Sequence, residues 1–233
     1  VAPAPDMGLE RNFLWGTESV LKLAKIQMLF PTPLVTFQVD EAEALNRDLL
    51  QEIEARRHAE PGQTRSNRQG WHSAYDLFSR KEAAHARLAG IIRQAVEQTT
   101  RQLAPAAPLD KLEMECEGWI NVNPTGAYNT PHDHPGNLWS GTYYVATPAV
   151  GDGSDSSGRI EFIDGRSGLA DNFVKAPFTA SKYGIGPKPG MLLLFPANLL
   201  HWVHPNLAEG ERVTVAFNAR FHPRSMRRGR ARP

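Results

Sequence analysis

The stretch RVTVAFNARF, Arg212 to Phe221, alternates with a period of two, and that period limits most of what this chain can become. Successive side chains of a strand point to opposite faces. Val213, Val215, Phe217, Ala219 and Phe221 therefore share one face, and Arg212, Thr214, Ala216 and Asn218 the other. The first face is wholly apolar and is expected to pack against helices. The second must line an interior, where a guanidinium needs an anionic partner to be tolerated. No nearby carboxylate stands at the right place. Either a distant one such as Glu161 forms a structural ion pair, or a bound dicarboxylate takes a two-pronged contact from Arg212. Thr214 can add a hydroxyl hydrogen bond.

Other segments show what could surround such a strand. Leu112 to Asn123, Trp139 to Ala146, Arg159 to Ile163 and Met191 to Phe195 are all expected as short strands. Gly, Pro, Asn and Asp clusters such as VGDGSDSSG and YGIGPKPG separate them. Before them come two helical patterns. Leu45, Leu49 and Ile53 recur at helical spacing after Asp40, an expected N-cap with Glu43 three residues on. Leu88, Ile91, Ile92, Ala95 and Val96 mark a second helix from about Lys81 to Leu103, ended by Pro105 and Pro108. Helices first, then many short strands, point to an α+β domain with an antiparallel sandwich or jelly roll backed by N-terminal helices.

The expected organisation is an extension over residues 1–27 with a helical turn or two around Glu18 to Ile26. One domain follows over 28–222, with helical support at about 40–103 and the jelly-roll core at about 112–222. A basic tail closes it at 223–233. MLFPTPLVTFQVD opens the domain as an edge strand, its entry marked by Pro31 and Pro33. PGQTRSNRQGWHSAYDLFSR has no clean period and is expected as a long loop, with Trp71 anchoring it to the core or touching substrate.

With 26 Lys and Arg against 25 Asp and Glu among 233 residues, the overall charge makes no case for nucleic acid or an anionic membrane. The exception is the tail RSMRRGRARP, read as a solvated end that could touch an acidic partner. No apolar run approaches the roughly 18 residues that span a bilayer. The N-terminus lacks the order of a secretory signal, and the lone cysteine, Cys116, fits a reducing compartment. A cytoplasmic protein is the expectation.

Chemistry concentrates in NTPHDHPGNLWSGTYYV, Asn129 to Val145. In an extended segment His132 and His134 face one way and can converge on one ion, while Asp133 faces the other. A third donor must come from elsewhere, and His201 in GMLLLFPANLLHWVHPN is the best candidate. His204, three residues on, is turned away by parity. Two such strands of a jelly roll can lie side by side at the barrel mouth, with positions left open for substrate.

His132-x-His134, LWSGTYYV, FPANLLHWVHPN with His201, and Arg212-x-Thr214 together resemble the iron(II)- and 2-oxoglutarate-dependent oxygenases. More closely, they resemble a group of bacterial and phage oxygenases related to prolyl hydroxylases, a similarity that also takes in LFPTPLV, SNRQGWHSAYDL and WINVNPTGAYN. The resemblance implies a double-stranded β-helix with Fe(II) at its mouth. It implies 2-oxoglutarate chelating that iron while its distal carboxylate meets Arg212, supported by Thr214 and by the Tyr144 phenol. Asn121 and Asn123, on one face of the preceding strand, are weaker candidates for the same pocket. The implied reaction uses dioxygen, decarboxylates 2-oxoglutarate to succinate and hydroxylates an unidentified second substrate.

One departure stands out: the superfamily mostly carries Asp or Glu where this chain has His134. Asp133 is the alternative second ligand, against its parity. Three histidines also serve hydrolytic zinc enzymes. A cupin-like hydrolase or isomerase without co-substrate, and a metal-stabilised binding module, are therefore the rival readings. Loops such as Gly62 to Arg80 and Gly151 to Arg159 are expected to shape the second-substrate pocket.

Overall fold

In a computed structural model, the structure describes residues 21–148, 156–166, 176 and 179–224. The chain divides into two units, Val1–Pro33 and Leu34–Pro233. Within the first, Leu21 to Ile26 carry no helix, so the helical turn expected there is absent from the described residues; Glu18 to Val20 lie outside them. The tail from residue 225 and residues 151–155 of the Gly151 to Arg159 loop also lie outside the described residues.

The second unit opens with β1 (Val35–Gln38), shorter than the strand expected from Met28. Helix α1 follows (Ala42–Ala59). Asp40 is not its N-cap: Glu41 holds that position in a left-handed conformation without a side-chain cap bond. The region expected as a long loop contains two short strands, β2 (Asn67–Arg68) and β3 (Trp71–His72). The Trp71 indole N–H donates to the Glu60 carbonyl at 3.1 Å, tying this region to the end of α1. Helix α2 spans Ala83–Leu103. Its first turn is capped from another helix: Glu52 of α1 accepts from the Ala84 and His85 backbone N–H groups at 2.9 and 3.0 Å.

The strands that follow are β4 (Leu112–Asn123), β5 (Tyr128–His132), β6 (Trp139–Ala146), β7 (Ile160–Ile163), β8 (Lys182–Ile185), β9 (Met191–Pro196), β10 (His201–Val203) and β11 (Arg212–Pro223). They form two antiparallel sheets, a six-stranded one in the order β1-β9-β6-β11-β4-β3 and a five-stranded one in the order β2-β5-β10-β7-β8. This is the expected α+β jelly roll with two helices.

Strand β11 lies at the centre of the larger sheet. It pairs with β4 along its whole length, Arg212 opposite Asn123 and Pro223 opposite Leu112, and with β6 on its other side. Its apolar face, Val213, Val215, Phe217 and Ala219, joins Leu45, Leu49, Leu88 and Ile92 of the helices in one core. Phe217 is wholly buried, and burying such a side chain contributes about 1.5–3 kcal/mol. Gly141 of β6 permits this packing: a Cβ there would meet the Phe217 ring at 2.2 Å. Strand β9 is apolar on both faces because both are covered. Leu192 and Leu194 face the helices, while Leu193 and Phe195 join Tyr144, Ile160 and Phe162 between the sheets.

The pairing of β5 with β10 is irregular. His201 lies opposite His132 and Val203 opposite Asn129, so three steps along β5 answer two along β10. One extra residue on a strand in this way is a β-bulge. Pro131, which cannot donate to a ladder, lies within it.

Candidate active site

His132 ends β5 and His201 begins β10, and the register places them directly opposite each other. His134 lies two residues beyond the end of β5. Ring centroids are 4.6 Å apart for His132 and His201, 4.9 Å for His132 and His134, and 5.3 Å for His134 and His201. One nitrogen from each ring falls within 4.8 Å of the other two, the geometry of a potential metal site. Asp133 is exposed and stands outside this cluster. His204 is also outside it, its ring tilted against Trp202 with centroids 4.0 Å apart.

Two of the three rings are fixed by the main chain. His132 Nδ1 is 2.6 Å from the Thr130 carbonyl and His201 Nδ1 is 2.8 Å from the Leu199 carbonyl. Each Nδ1 must therefore carry the proton, which leaves Nε2 with a free lone pair. Burial lowers the affinity of all three rings for a second proton, and their mutual repulsion adds to this for His134 and His201. His134 is pushed down to about 4 and His201 to about 3, and His132 also falls below its ordinary value. At neutral pH the cluster thus presents uncharged imidazoles, the form that binds metal.

The polar face of β11 points into the space between the sheets. Arg212 is 2% exposed. Its Nε donates to the Gly158 carbonyl at 3.0 Å and its Nη1 to the Thr214 hydroxyl at 3.3 Å. Gly158 has φ +61° and a Cβ there would lie 3.0 Å from Arg212 Cδ, so a glycine lets the carbonyl come this close. Among the described residues no carboxylate forms an ion pair with Arg212. Glu161, the sequence candidate, instead accepts from Trp202 Nε1 and pairs with Lys182 and His204. Burial pulls the Arg212 pKa below its ordinary value.

Tyr144 faces Thr214 across β6 and β11, with the Arg212 guanidinium 5.1 Å from its ring centre. Burial raises its phenol pKa despite the nearby positive charge. The hydroxyl is close enough to feel that charge, yet it lacks a hydrogen bond of acceptable geometry. Asn121 Oδ1 and Asn123 Oδ1 are likewise buried without partners, on residues opposite Thr214 and Arg212. A guanidinium without a carboxylate partner among the described residues, beside a buried hydroxyl free to donate, suits an anionic guest; the two amide oxygens, which only accept, call instead for a donor.

Sequence parity did not single out the wall beside His134. Trp119 of β4 lies 5.7 Å from the His134 ring, stacks on His72 at 5.7 Å and meets Tyr75 at 4.7 Å. Its signal was available, since Trp119 shares a strand face with Asn121 and Asn123. Outside the cluster is an open cavity of about 380 Å³ bordered by Arg65, Tyr75, Glu117, Asp133, His134, Pro135, Asn137 and Asn218. A larger hollow of about 450 Å³ beside Arg57 and Trp71 touches none of the three histidines.

Residues 117–218 match the model of a family described as "Putative 2OG-Fe(II) oxygenase". The matched span holds all three histidines, Tyr144, Arg212 and Thr214. Match and fold together support the iron(II)- and 2-oxoglutarate-dependent oxygenase superfamily. Solved structures of this superfamily share the fold at low identity. A prolyl-4-hydroxylase of Pseudomonas putida is 16% identical, with 80% of this chain and 91% of that one covered and a TM-score of 0.58. A prolyl hydroxylase of Trichoplax adhaerens, in complex with a hypoxia inducible factor peptide fragment, is 11% identical, with 85% and 87% covered and a TM-score of 0.57. HygX of Streptomyces hygroscopicus, with nickel and 2-oxoglutarate bound, is 15% identical, with 83% and 84% covered and a TM-score of 0.53. No curated protein sequence matches the chain. Among the described residues no helix is long and apolar enough to cross a membrane.

Proposed function

We propose that this protein is a dioxygenase that uses Fe(II) and 2-oxoglutarate, forms succinate, and hydroxylates a second substrate entering past Trp119 and Tyr75. The observation that carries the reading is Arg212, a buried cation without a carboxylate partner among the described residues, on the same barrel interior as three convergent imidazoles. His132, His134 and His201 would hold the metal, and their neutral state and the two carbonyl-fixed rings fit that role. Bound iron supplies the oxidative chemistry with dioxygen and the keto acid. The protein's own residues position the reactants.

Arg212 neutralises and orients the distal carboxylate of 2-oxoglutarate, a charge-assisted contact stronger than a neutral hydrogen bond. Tyr144 gives its otherwise unpaired hydroxyl to the same carboxylate, and Thr214 holds the guanidinium in place. Asn121 and Asn123 offer further polar edges to the guest. Trp119, Tyr75 and His72 shield one flank from water, which strengthens electrostatic contacts inside. The outer cavity is bordered mainly by polar side chains, which favours a polar second substrate.

The donor set supports a second reading. Three neutral imidazoles without a carboxylate also suit zinc in a hydrolase or isomerase, but that reading leaves Arg212 without a guest. An anaerobic titration of metal-free protein with iron(II), then 2-oxoglutarate, separates the two. The expected outcome is a visible charge-transfer band of a chelated keto acid, lost in Arg212→Ala. Iron binding with no band on adding 2-oxoglutarate overturns the oxygenase reading in favour of the zinc-type one.

A further inference from the structure

His134 is the position at which this chain departs from the usual carboxylate, and it also differs from its two neighbours in how it is held. The rings of His132 and His201 are fixed by main-chain carbonyls, whereas His134 Nδ1 faces the side-chain amide of Asn218 at 3.5 Å. Asn218 is 3% exposed and sits in the middle of β11, opposite Glu117 of β4 and Ser140 of β6. The Ser140 hydroxyl donates to Asn218 Oδ1 at 2.6 Å, and Asn218 Nδ2 donates to Glu117 Oε1 at 2.9 Å.

This arrangement has a consequence for the imidazole. With the amide N–H group toward it, Nδ1 is an acceptor and the proton of the neutral ring sits on Nε2. Such a ring cannot ligate through Nε2. Turning the amide over places Oδ1 where it accepts a proton from Nδ1–H and frees the Nε2 lone pair, the tautomer that the carbonyls already impose on His132 and His201. Ser140 tolerates the turn, since a hydroxyl donates or accepts equally well. Glu117 opposes it, because its carboxylate would then face an oxygen.

We propose that Asn218 is the positioning residue for His134, holding the metal-competent tautomer with its amide turned so that Oδ1 accepts from Nδ1–H, and that Glu117 works against that orientation. The inference rests on the three-histidine reading. It assigns the chain a side-chain substitute for the backbone carbonyls that serve the other two rings. It also links the metal centre to the outer cavity, since Glu117 and Asn218 both border it.

The test is titration of metal-free protein with Co(II), read as affinity and as the visible ligand-field spectrum, which requires no turnover. Loss of a partner behind a ligating histidine typically costs 10–100-fold in metal affinity. Asn218→Ala is expected to lose that much and to change the spectrum, with thermal melting confirming the fold. Asn218→Asp, made together with Glu117→Gln so that two carboxylates do not meet at 2.9 Å, can only accept when ionised and is expected to keep binding within a few-fold of the wild type. Glu117→Gln is expected to tighten binding several-fold, although removing a carboxylate near a cation would by charge alone weaken it. Wild-type affinity and spectrum in Asn218→Ala, or equal losses in Asn218→Ala and in Asn218→Asp with Glu117→Gln, overturn the assignment. So does binding by Glu117→Gln that is no tighter than wild type. Controls separate this from failure of the metal reading itself. If His132→Ala and His201→Ala bind Co(II) like the wild type, the three-histidine reading falls and the assignment with it. If those two lose the metal while His134→Ala does not, only the assignment falls.

Discussion

Arg56 and Arg212 are both almost fully buried, at 4% and 2% exposure, and their surroundings differ in kind. Arg56, near the end of α1, has two carboxylates. Its Nε donates to Glu60 Oε2 at 2.9 Å, and its Nη2 lies 2.8 Å from Asp76 Oδ1, a charge contact whose angle falls short of a hydrogen bond. Arg80 joins the same corner, pairing with Glu60, Asp76 and Glu82. Among the described residues, Arg212, between the sheets, meets a glycine carbonyl, a threonine hydroxyl and the Tyr144 ring, none of them a carboxylate. Taking a charge out of water costs several kcal/mol unless something of opposite sign compensates it. The first arginine is compensated within the fold and holds the 60–82 region to α1. The second has no carboxylate partner among the described residues, which is what the proposed role of a binding cation requires.

The largest effect expected from this contrast is on ligand binding. Arg212→Ala should weaken 2-oxoglutarate binding to metal-loaded protein by at least about 30-fold, since truncating one partner of a buried charge pair costs roughly 2–5 kcal/mol. Calorimetric titration measures it, and metal affinity should hardly move; equal loss of both would break the comparison. Next comes stability. Arg56→Met should destabilise the protein by about 1–3 kcal/mol in urea unfolding, below the roughly 3–5 kcal/mol for a fully buried pair because Glu60 and Asp76 are about one-third exposed. Arg212→Met should leave the ligand-free protein equally stable or slightly more so. A large loss there would mean that Arg212 is structural after all.

A smaller effect is expected at Tyr144. Tyr144→Phe removes a hydroxyl that has no partner of its own, so melting temperature should hold or rise. Affinity for 2-oxoglutarate should fall about 3–10-fold, the size of one net hydrogen bond of about 0.5–1.5 kcal/mol. The smallest expectation concerns pH and the other end of the charge ledger, Glu52. Desolvation would raise its pKa, but hydrogen bonds from Ala84 N–H, the His85 ring and His85 N–H outweigh it, so the folded value lies below the usual 4.5. A depressed carboxylate contributes stability that is present above its unfolded pKa and is lost as pH falls through the folded one. Stability should therefore decline below about pH 4.5, and Glu52→Gln should flatten that decline in urea midpoints measured across the acid range.

The sequence exposed whatever a local period could carry. The alternation from Arg212 identified both faces of β11, and the helical spacings of Leu45 and Leu88 found both helices. The His-x-His pair and His201 were legible because few residue types bind metals, so their number and order were informative. What escaped was non-local. Asp40 looked like a cap, but Glu41 adopts the left-handed turn, and the capping carboxylate of α2 comes from Glu52 on another helix. Strands β2 and β3 hold two residues each, too few to show a period, and exist only through their partners β5 and β4. Asn218 and Glu117 could be placed on faces, but their meeting with His134 depends on three-strand register that parity alone does not supply.

The bulge in β5 gives that register a further consequence. Asn129 and His132 are three residues apart, an odd number, and on a regular strand they would turn their backs on each other. The extra residue brings both inward, Asn129 to bond with Asn123 and His132 to meet His201. The position of the first histidine is therefore set by counting. A variant lacking Pro131 could keep every functional side chain in the chain and still aim one of them at the wrong side of the wall, so this short segment should tolerate exchange of residues far better than any change in their number.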